Sequence, residues 1–194
     1  MAEVSAVEAR TLLALAFADD PLMAWFFPDA EVRPHACAGL FGLFAEHYLA
    51  AGRVDVVRRA APVAVAMWQW PGRSEDDESA SERLPTVGGL MTALMGVDRA
   101  ARIGGAMSVL GELRPPGPHA YLHLLGVDPG CRGEGLGGQL LDLGVAAAAA
   151  EGLVACLDTM NPVNVPFYEA HGMSVRHEVP LPYGGPTVWS MATG

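Results

Sequence analysis

A mixed α/β domain, one central sheet flanked by helices, is the fold the sequence predicts, and three observations carry that expectation. The 194 residues suffice for one continuous core, or one core with a helical annex. Residues 119–127 are apolar on both faces apart from His123, as in a strand buried mid-sheet. A glycine-rich turn, an amphipathic helix and a short apolar run follow them as a βαβ unit. Upstream, helical and extended periodicities alternate without an internal repeat, so 1–194 is read as a single domain.

From the start, Val4 to Ala18 places Leu12, Leu13, Leu15, Ala16 and Phe17 at amphipathic-helix spacing, and Asp19-Asp20-Pro21 closes that helix because proline cannot continue the hydrogen-bond ladder. Pro21 to Pro28 reads as an aromatic loop, crowding Met23, Trp25, Phe26 and Phe27 together. Pro34 to Ala51 is again helical through Leu40, Leu43, Phe44 and Tyr48. Arg53–Arg58 and Val63–Trp70 read as paired strands around Ala60-Ala61-Pro62. Residues 71–85, PGRSEDDESASERLP, combine seven charged side chains with a single leucine, too little apolar surface to order a segment, and predict a flexible acidic loop. Thr86 to Leu113 predicts one or two glycine-interrupted helices through Leu90, Leu94, Val97, Ile103, Met107 and Leu110. After the strand 119–127, Leu136, Leu140, Leu143 and Ala147 mark a helical stripe ending near Gly152, and Leu153–Leu157 is a second buried strand. Asn161–His171 predicts a short helix closed by Gly172. Met173–Glu178 and Thr187–Met191 predict two last strands about a turn from Pro180 to Pro186.

Acidic residues outnumber basic ones by 22 to 12, a formal charge of −10, which argues against nucleic acid or an anionic membrane as partner and favours a cationic small molecule. The chain has no lysine, so a Walker A phosphate site is excluded. Cys37, Cys131 and Cys156 are far apart and lack CxxC spacing, so reduced thiols are expected and no metal site. No apolar run reaches the roughly 18 to 20 residues of a membrane helix, and the start, MAEVSAVEAR, lacks the pattern of a signal peptide. A cytoplasmic location is the expectation.

The run Arg132-Gly133-Glu134-Gly135-Leu136-Gly137-Gly138 lies between a strand and a helix. Glycines there let the backbone approach a phosphate, and the helix N-terminus adds converging N–H groups and a partial positive charge. Two anions fit. Gly133, Gly135 and Gly138 match the GxGxxG dinucleotide fingerprint, with Asp158 lying 20 residues beyond the last glycine. Against a dinucleotide fold stand the five-residue turn Asp128-Pro129-Gly130-Cys131-Arg132, the start at position 133 of 194, and the helices and hairpin that precede it.

Read as Arg-x-x-Gly-x-Gly at Arg132, Gly135 and Gly137, the same run resembles the pyrophosphate loop of the GNAT family of N-acetyltransferases. Leu124 to Pro129 looks like that family's central strand and turn. Asn161-x-x-Asn164-x-x-x-Tyr168-Glu169-x-x-Gly172 looks like its downstream element, with Met173 where phenylalanine is usual. Within the family the pattern resembles the small-molecule branch that includes puromycin N-acetyltransferase, through ALAFADD (14–20), VAVAMW (63–68), Gly126-Val127, 164–172 and the ending PTVWSM.

The resemblance implies a twisted mixed sheet of six to seven strands whose central pair splays into a wedge for acetyl-CoA. Leu125, Gly126 and Val127 would then bind the pantetheine arm, Arg132, Gly133, Gly135, Leu136, Gly137 and Gly138 the pyrophosphate. Tyr168 would donate a proton to the departing sulfur. Asn161 and Asn164 fit either cofactor binding or helix capping. His123, the one titratable group of the central strand, is a candidate proton relay, with Glu112 and Asp158 as weaker bases. Trp25, Phe26 and Phe27 fall where the family meets its substrate, or are core. The expected activity is acetyl transfer to the primary amine of a small molecule, an antibiotic or other xenobiotic amine among them, by a monomer or homodimer. Acetylation of a protein or peptide amine, a non-catalytic acyl-CoA-binding protein and, remotely, a dinucleotide-binding protein are the alternatives.

Overall fold

A computed structural model describes residues 3–72 and 87–194. Apart from Pro71 and Gly72, the segment read as an acidic loop lies outside the described residues.

The chain opens with a helix α1 (Ala6–Ala16), whose start is fixed by a reciprocal capping box between Ser5 and Glu8. That helix ends ahead of Asp19-Asp20-Pro21, and Asp20-Pro21 also begins another. The Asp20 carboxylate accepts from the Leu22 N–H at 2.9 Å and Pro21 occupies the first turn, so the expected aromatic loop is a short helix α2 (Pro21–Phe26). α3 (Arg33–Ala51) follows, and the Arg33 guanidinium ties the connection together by donating to the carbonyls of Ala18, Phe27 and Pro28.

A hairpin of β1 (Arg53–Arg58) and β2 (Pro62–Gln69) leads to three helices where one or two were expected: α4 (Val87–Met95), α5 (Val97–Met107) and α6 (Val109–Leu113). Gly96, at φ 81°, separates the first two. Then come β3 (His119–Val127), a 3-10 turn at Pro129–Cys131, α7 (Leu136–Ala150), β4 (Val154–Thr159), a 3-10 turn at Pro162–Asn164, α8 (Val165–Ala170), β5 (Met173–Pro180) and β6 (Thr187–Thr193).

The six strands run in the order β1-β2-β3-β4-β6-β5, and only β3 and β4 pair in parallel. This mixed order removes the dinucleotide-fold alternative, which needs a mainly parallel sheet. On one face, α1 and α3 pack with Val65, Met67 and Leu124. On the other, α7 and α8 cover Ala66, Trp68, Leu122 and Leu157. Leu122 and Leu124 reach opposite faces because His123 is an extra residue in the ladder: Met67 pairs with Leu124 and Trp68 with Leu122.

The feature that positions the site is the short pairing of β3 with β4. It covers only His119–Leu122 against Val154–Leu157. Beyond it, residues 124–127 pair only with β2, and Asp158 and Thr159 only with β6. The two central strands therefore splay, as expected from the resemblance.

Candidate active site

Two cavities open from the splay. The first, about 800 Å³, is lined by the end of β3, the glycine-rich loop, the first turn of α7 and the 161–171 segment. Every residue assigned by resemblance to the cofactor lines it except Gly126, which is buried against Leu12 and Leu13 of α1.

Local sequence explains the shape of this cavity. Asp128 caps the 3-10 turn through the Gly130 N–H at 2.8 Å, and the loop then bends through Gly133 and Gly135 at φ 81° and 77°. Gly135 caps α7 without a side-chain acceptor, so the N–H groups of Leu136, Gly137 and Gly138 have no helical partner. A Cβ on Gly138 would lie 2.5 Å from the His171 ring, which is held in place by Asp142 at 2.7 Å. Arg132 donates to the Ala16 carbonyl at 2.9 Å and joins the loop to the end of α1. Glu134, the loop's own carboxylate, is neutralised by an ion pair with Arg59 from the β1–β2 turn. Asn161 does cap, accepting from the Val163 N–H at 3.1 Å, whereas Asn164 makes no capping bond and faces both cavities.

The second cavity, about 650 Å³, lies on the α1–α5 side. Phe26, Phe41, Phe44, Met91, Ile103 and Met107 form much of its apolar wall. Of the expected substrate residues only Phe26 reaches it. Phe27 is buried in the core with α1 and α3, and Trp25 packs by Leu181 and Gly185 while its carbonyl accepts from Arg99. The floor is polar and comes from β3 and β4: Tyr121, His123 and Asp158.

Tyr168 is buried where the two cavities meet, lining both together with Phe17, Asp20, Leu125 and Asn164. Burial pushes its phenol up, with the Asp20 charge adding to the shift, so it stays protonated. His123 receives the opposite treatment: burial first, then the positive charges of Arg114 and His47, lower its imidazole to about 4. Its Nδ1 pairs with the Tyr48 hydroxyl at 2.9 Å, and Phe44 meets its ring edge-on at 4.6 Å. Burial also raises Asp158, against the pull of the Ser190 and Tyr121 hydroxyls and Arg114. Glu112, the other weak base, is exposed and does not line the cavity.

Asp20, Tyr48, Tyr121 and Arg59 escaped the sequence reading. Asp20 ends the ALAFADD stretch and Tyr121 lies in β3 itself, whereas Tyr48 and Arg59 are brought to the site from elements remote in the chain.

Residues 63–173, more than half of the chain, match the model of the acetyltransferase (GNAT) family, and the chain belongs to that family. It is therefore an acyltransferase that uses acetyl-CoA. Its fold is similar to the crystal structure of histone acetyltransferase HPA2 and related acetyltransferase from Corynebacterium glutamicum, at 22% identity and TM-score 0.69 over 100% of this chain and 92% of that one. It is also similar to arylalkylamine N-acetyltransferase 2 from Aedes aegypti, at 12% identity and TM-score 0.61 over 100% and 96%. A mosquito arylalkylamine N-acetyltransferase like 5b gives 15% identity and TM-score 0.56 over 96% and 93%. At these identities the likeness is one of fold.

The cofactor cavity suits coenzyme A on its own geometry. Unpartnered N–H groups at a helix start and glycines at positive φ make an anion cradle, and the splayed strands leave unpaired backbone beside it for an amide-bearing arm. Among the described residues no helix is long and apolar enough to cross a membrane.

Proposed function

We propose that the protein acetylates the primary amine of a small molecule with an apolar or aromatic body. The observation that carries this reading is the second cavity: a chamber of about 650 Å³ with aromatic and methionine walls, joined to the cofactor cavity at Tyr168. The fold likeness to arylalkylamine N-acetyltransferases agrees with it, and the resemblance of 14–20, 63–68 and 164–172 to the puromycin-modifying branch points the same way. Such a cavity suits resistance to an antibiotic or other xenobiotic amine. A protein or peptide amine would call for an open groove instead.

Acetyl-CoA, when bound, supplies the acetyl group as a thioester and leaves as a thiol. The loop 132–138 and the start of α7 hold its phosphates by backbone N–H groups with Arg132 beside them, Leu125 and Val127 line the path of its arm, and Asn164 adds a side-chain amide. Tyr168 holds a proton at its hydroxyl oxygen at the junction, available to the departing sulfur. His123 is neutral above about pH 4 and has a ring nitrogen to accept the amine's proton when its Nδ1–H donates to Tyr48. The apolar wall excludes water from the amine.

The test is calorimetric titration with acetyl-CoA and coenzyme A, followed by thiol release over a panel of primary amines that includes aminonucleosides, arylalkylamines and a lysine peptide. Micromolar cofactor binding with turnover of apolar small amines is expected. Preferential turnover of the peptide would move the reading to protein acetylation, and cofactor binding without any turnover would make it a sensor.

A further inference from the structure

The floor of the acceptor cavity holds a carboxylate that the chemistry above does not use. Asp158 stands just past the last β4 residue paired with β3, on the open edge of the splay. Its Oδ2 accepts from the Tyr121 hydroxyl at 3.1 Å, while Oδ1 is buried without a hydrogen-bond partner among the described residues. The Ser190 hydroxyl, opposite it in the β4–β6 ladder, favours its charged form, yet is placed on the Leu113 carbonyl at 3.4 Å. Arg114 and the His177 ring are its neighbouring basic groups, yet neither forms an ion pair with it among the described residues. The Arg114 guanidinium stacks on the Tyr121 ring, 4.0 Å from the centroid, and donates to Gln69 at 3.2 Å. A carboxylate offers about four lone-pair sites. One that is largely buried and keeps Oδ1 without a partner is an unfinished site, because buried charge is normally paired.

The remaining wall says what would finish it. Among the described residues no arginine lines the cavity, and Asp20, the other carboxylate there, is already committed to capping α2. A ligand therefore meets one uncommitted anion at the end of an apolar chamber. A second positive group would find only Asp20, and a negative group would meet no cation on the wall.

We infer that the Asp158 carboxylate anchors the ammonium group of the acceptor, so that the cavity selects monocationic amines with an otherwise apolar surface over zwitterionic amines and uncharged isosteres. The inference rests on reading this cavity as the acceptor site. Asp158 thus sets specificity by charge, and Phe26 and its neighbours by shape. Tyr121 is a positioning residue, fixing one carboxylate oxygen.

The experiment compares 2-phenylethylamine with 2-phenylethanol, nearly isosteric and uncharged, binding to the full chain saturated with coenzyme A. Wild type is expected to favour the amine at least tenfold. Asp158→Asn, which keeps an acceptor for Tyr121, is expected to bring the two affinities within about threefold, leaving those for the alcohol and coenzyme A unchanged. Asp158→Glu should restore part of the preference, a rescue that a purely structural role would not give. Asp158→Ser supplies the same comparison should the asparagine variant not fold. No amine preference in wild type, or an undiminished one in the neutral variants, overturns the inference. Failure of coenzyme A to bind would instead overturn the reading of the whole site.

Discussion

The cofactor cavity is built largely of backbone from two stretches, 125–142 and 161–171, whereas the acceptor cavity is built of side chains from α2, α3, α4, α5, β3 and β4. The first offers N–H groups at a helix start and a bend that needs glycine. Its chemistry is therefore written in consecutive residues and is insensitive to most side-chain exchanges. The second acquires its shape only when distant helices close over the splayed strands. A change in any one wall residue can retune it without disturbing the cradle. Conserving one substrate while varying the other is what this division of labour permits.

Tyr168 belongs to both cavities, and replacing it tests whether their junction is where chemistry happens. Tyr168→Phe keeps the ring in its buried place and removes only the hydroxyl group. Turnover is expected to fall on the order of 100-fold or more, with coenzyme A affinity and amine KM within a factor of about three. Unchanged turnover would make Tyr168 a packing residue and leave the cavities merely adjacent.

His123 sharpens the acceptor side through stability. Its imidazole sits at about 4 in the folded protein against an ordinary 6.5, so between those values the unfolded chain binds more protons than the folded one. Its contribution is complete above about pH 6.5 and is lost as the pH falls toward 4, by roughly 3 kcal/mol in all. Urea midpoints should fall between pH 7 and pH 5, and His123→Gln should flatten that decline. An equal decline in the variant would show that other groups govern acid sensitivity.

The same division explains what could be read from the chain. β3 was legible to the residue, because a strand buried on both faces is a continuous apolar run, and the loop after it was legible because positive φ demands glycine. Asp20-Pro21 misled, since the same pair that stops one helix caps the next. Trp25, Phe26 and Phe27 show the limit more sharply. Their composition announced a wall, but a short helix turns successive side chains to different directions, and only Phe26 faces the cavity. The floor was opaque for a different reason. Tyr121 and Asp158 meet through the register of two parallel strands, and Tyr48 meets His123 across 75 positions, neither of which leaves a local trace.

The smallest expected effect is the one that best separates backbone from side chain in the cradle. Arg132 brings the cofactor cavity a cation, yet it also spends one donor on the Ala16 carbonyl and so holds the loop against α1. If the charge matters, Arg132→Ala should weaken coenzyme A binding about three- to tenfold, roughly 1 kcal/mol. That loss should shrink as salt rises, because an exposed guanidinium facing a phosphate is screened. If the tether matters, the loss should be independent of salt and accompanied by a lower thermal midpoint without cofactor. No loss at all would mean that the N–H groups of α7 carry the anion alone, the strongest form of a backbone-built site. In each case 2-phenylethanol binding should be unaffected, since Arg132 does not line the acceptor cavity. A change there would show that the two cavities are coupled through α1, which ends at Ala16 and leads through Phe17 and Asp20 into both.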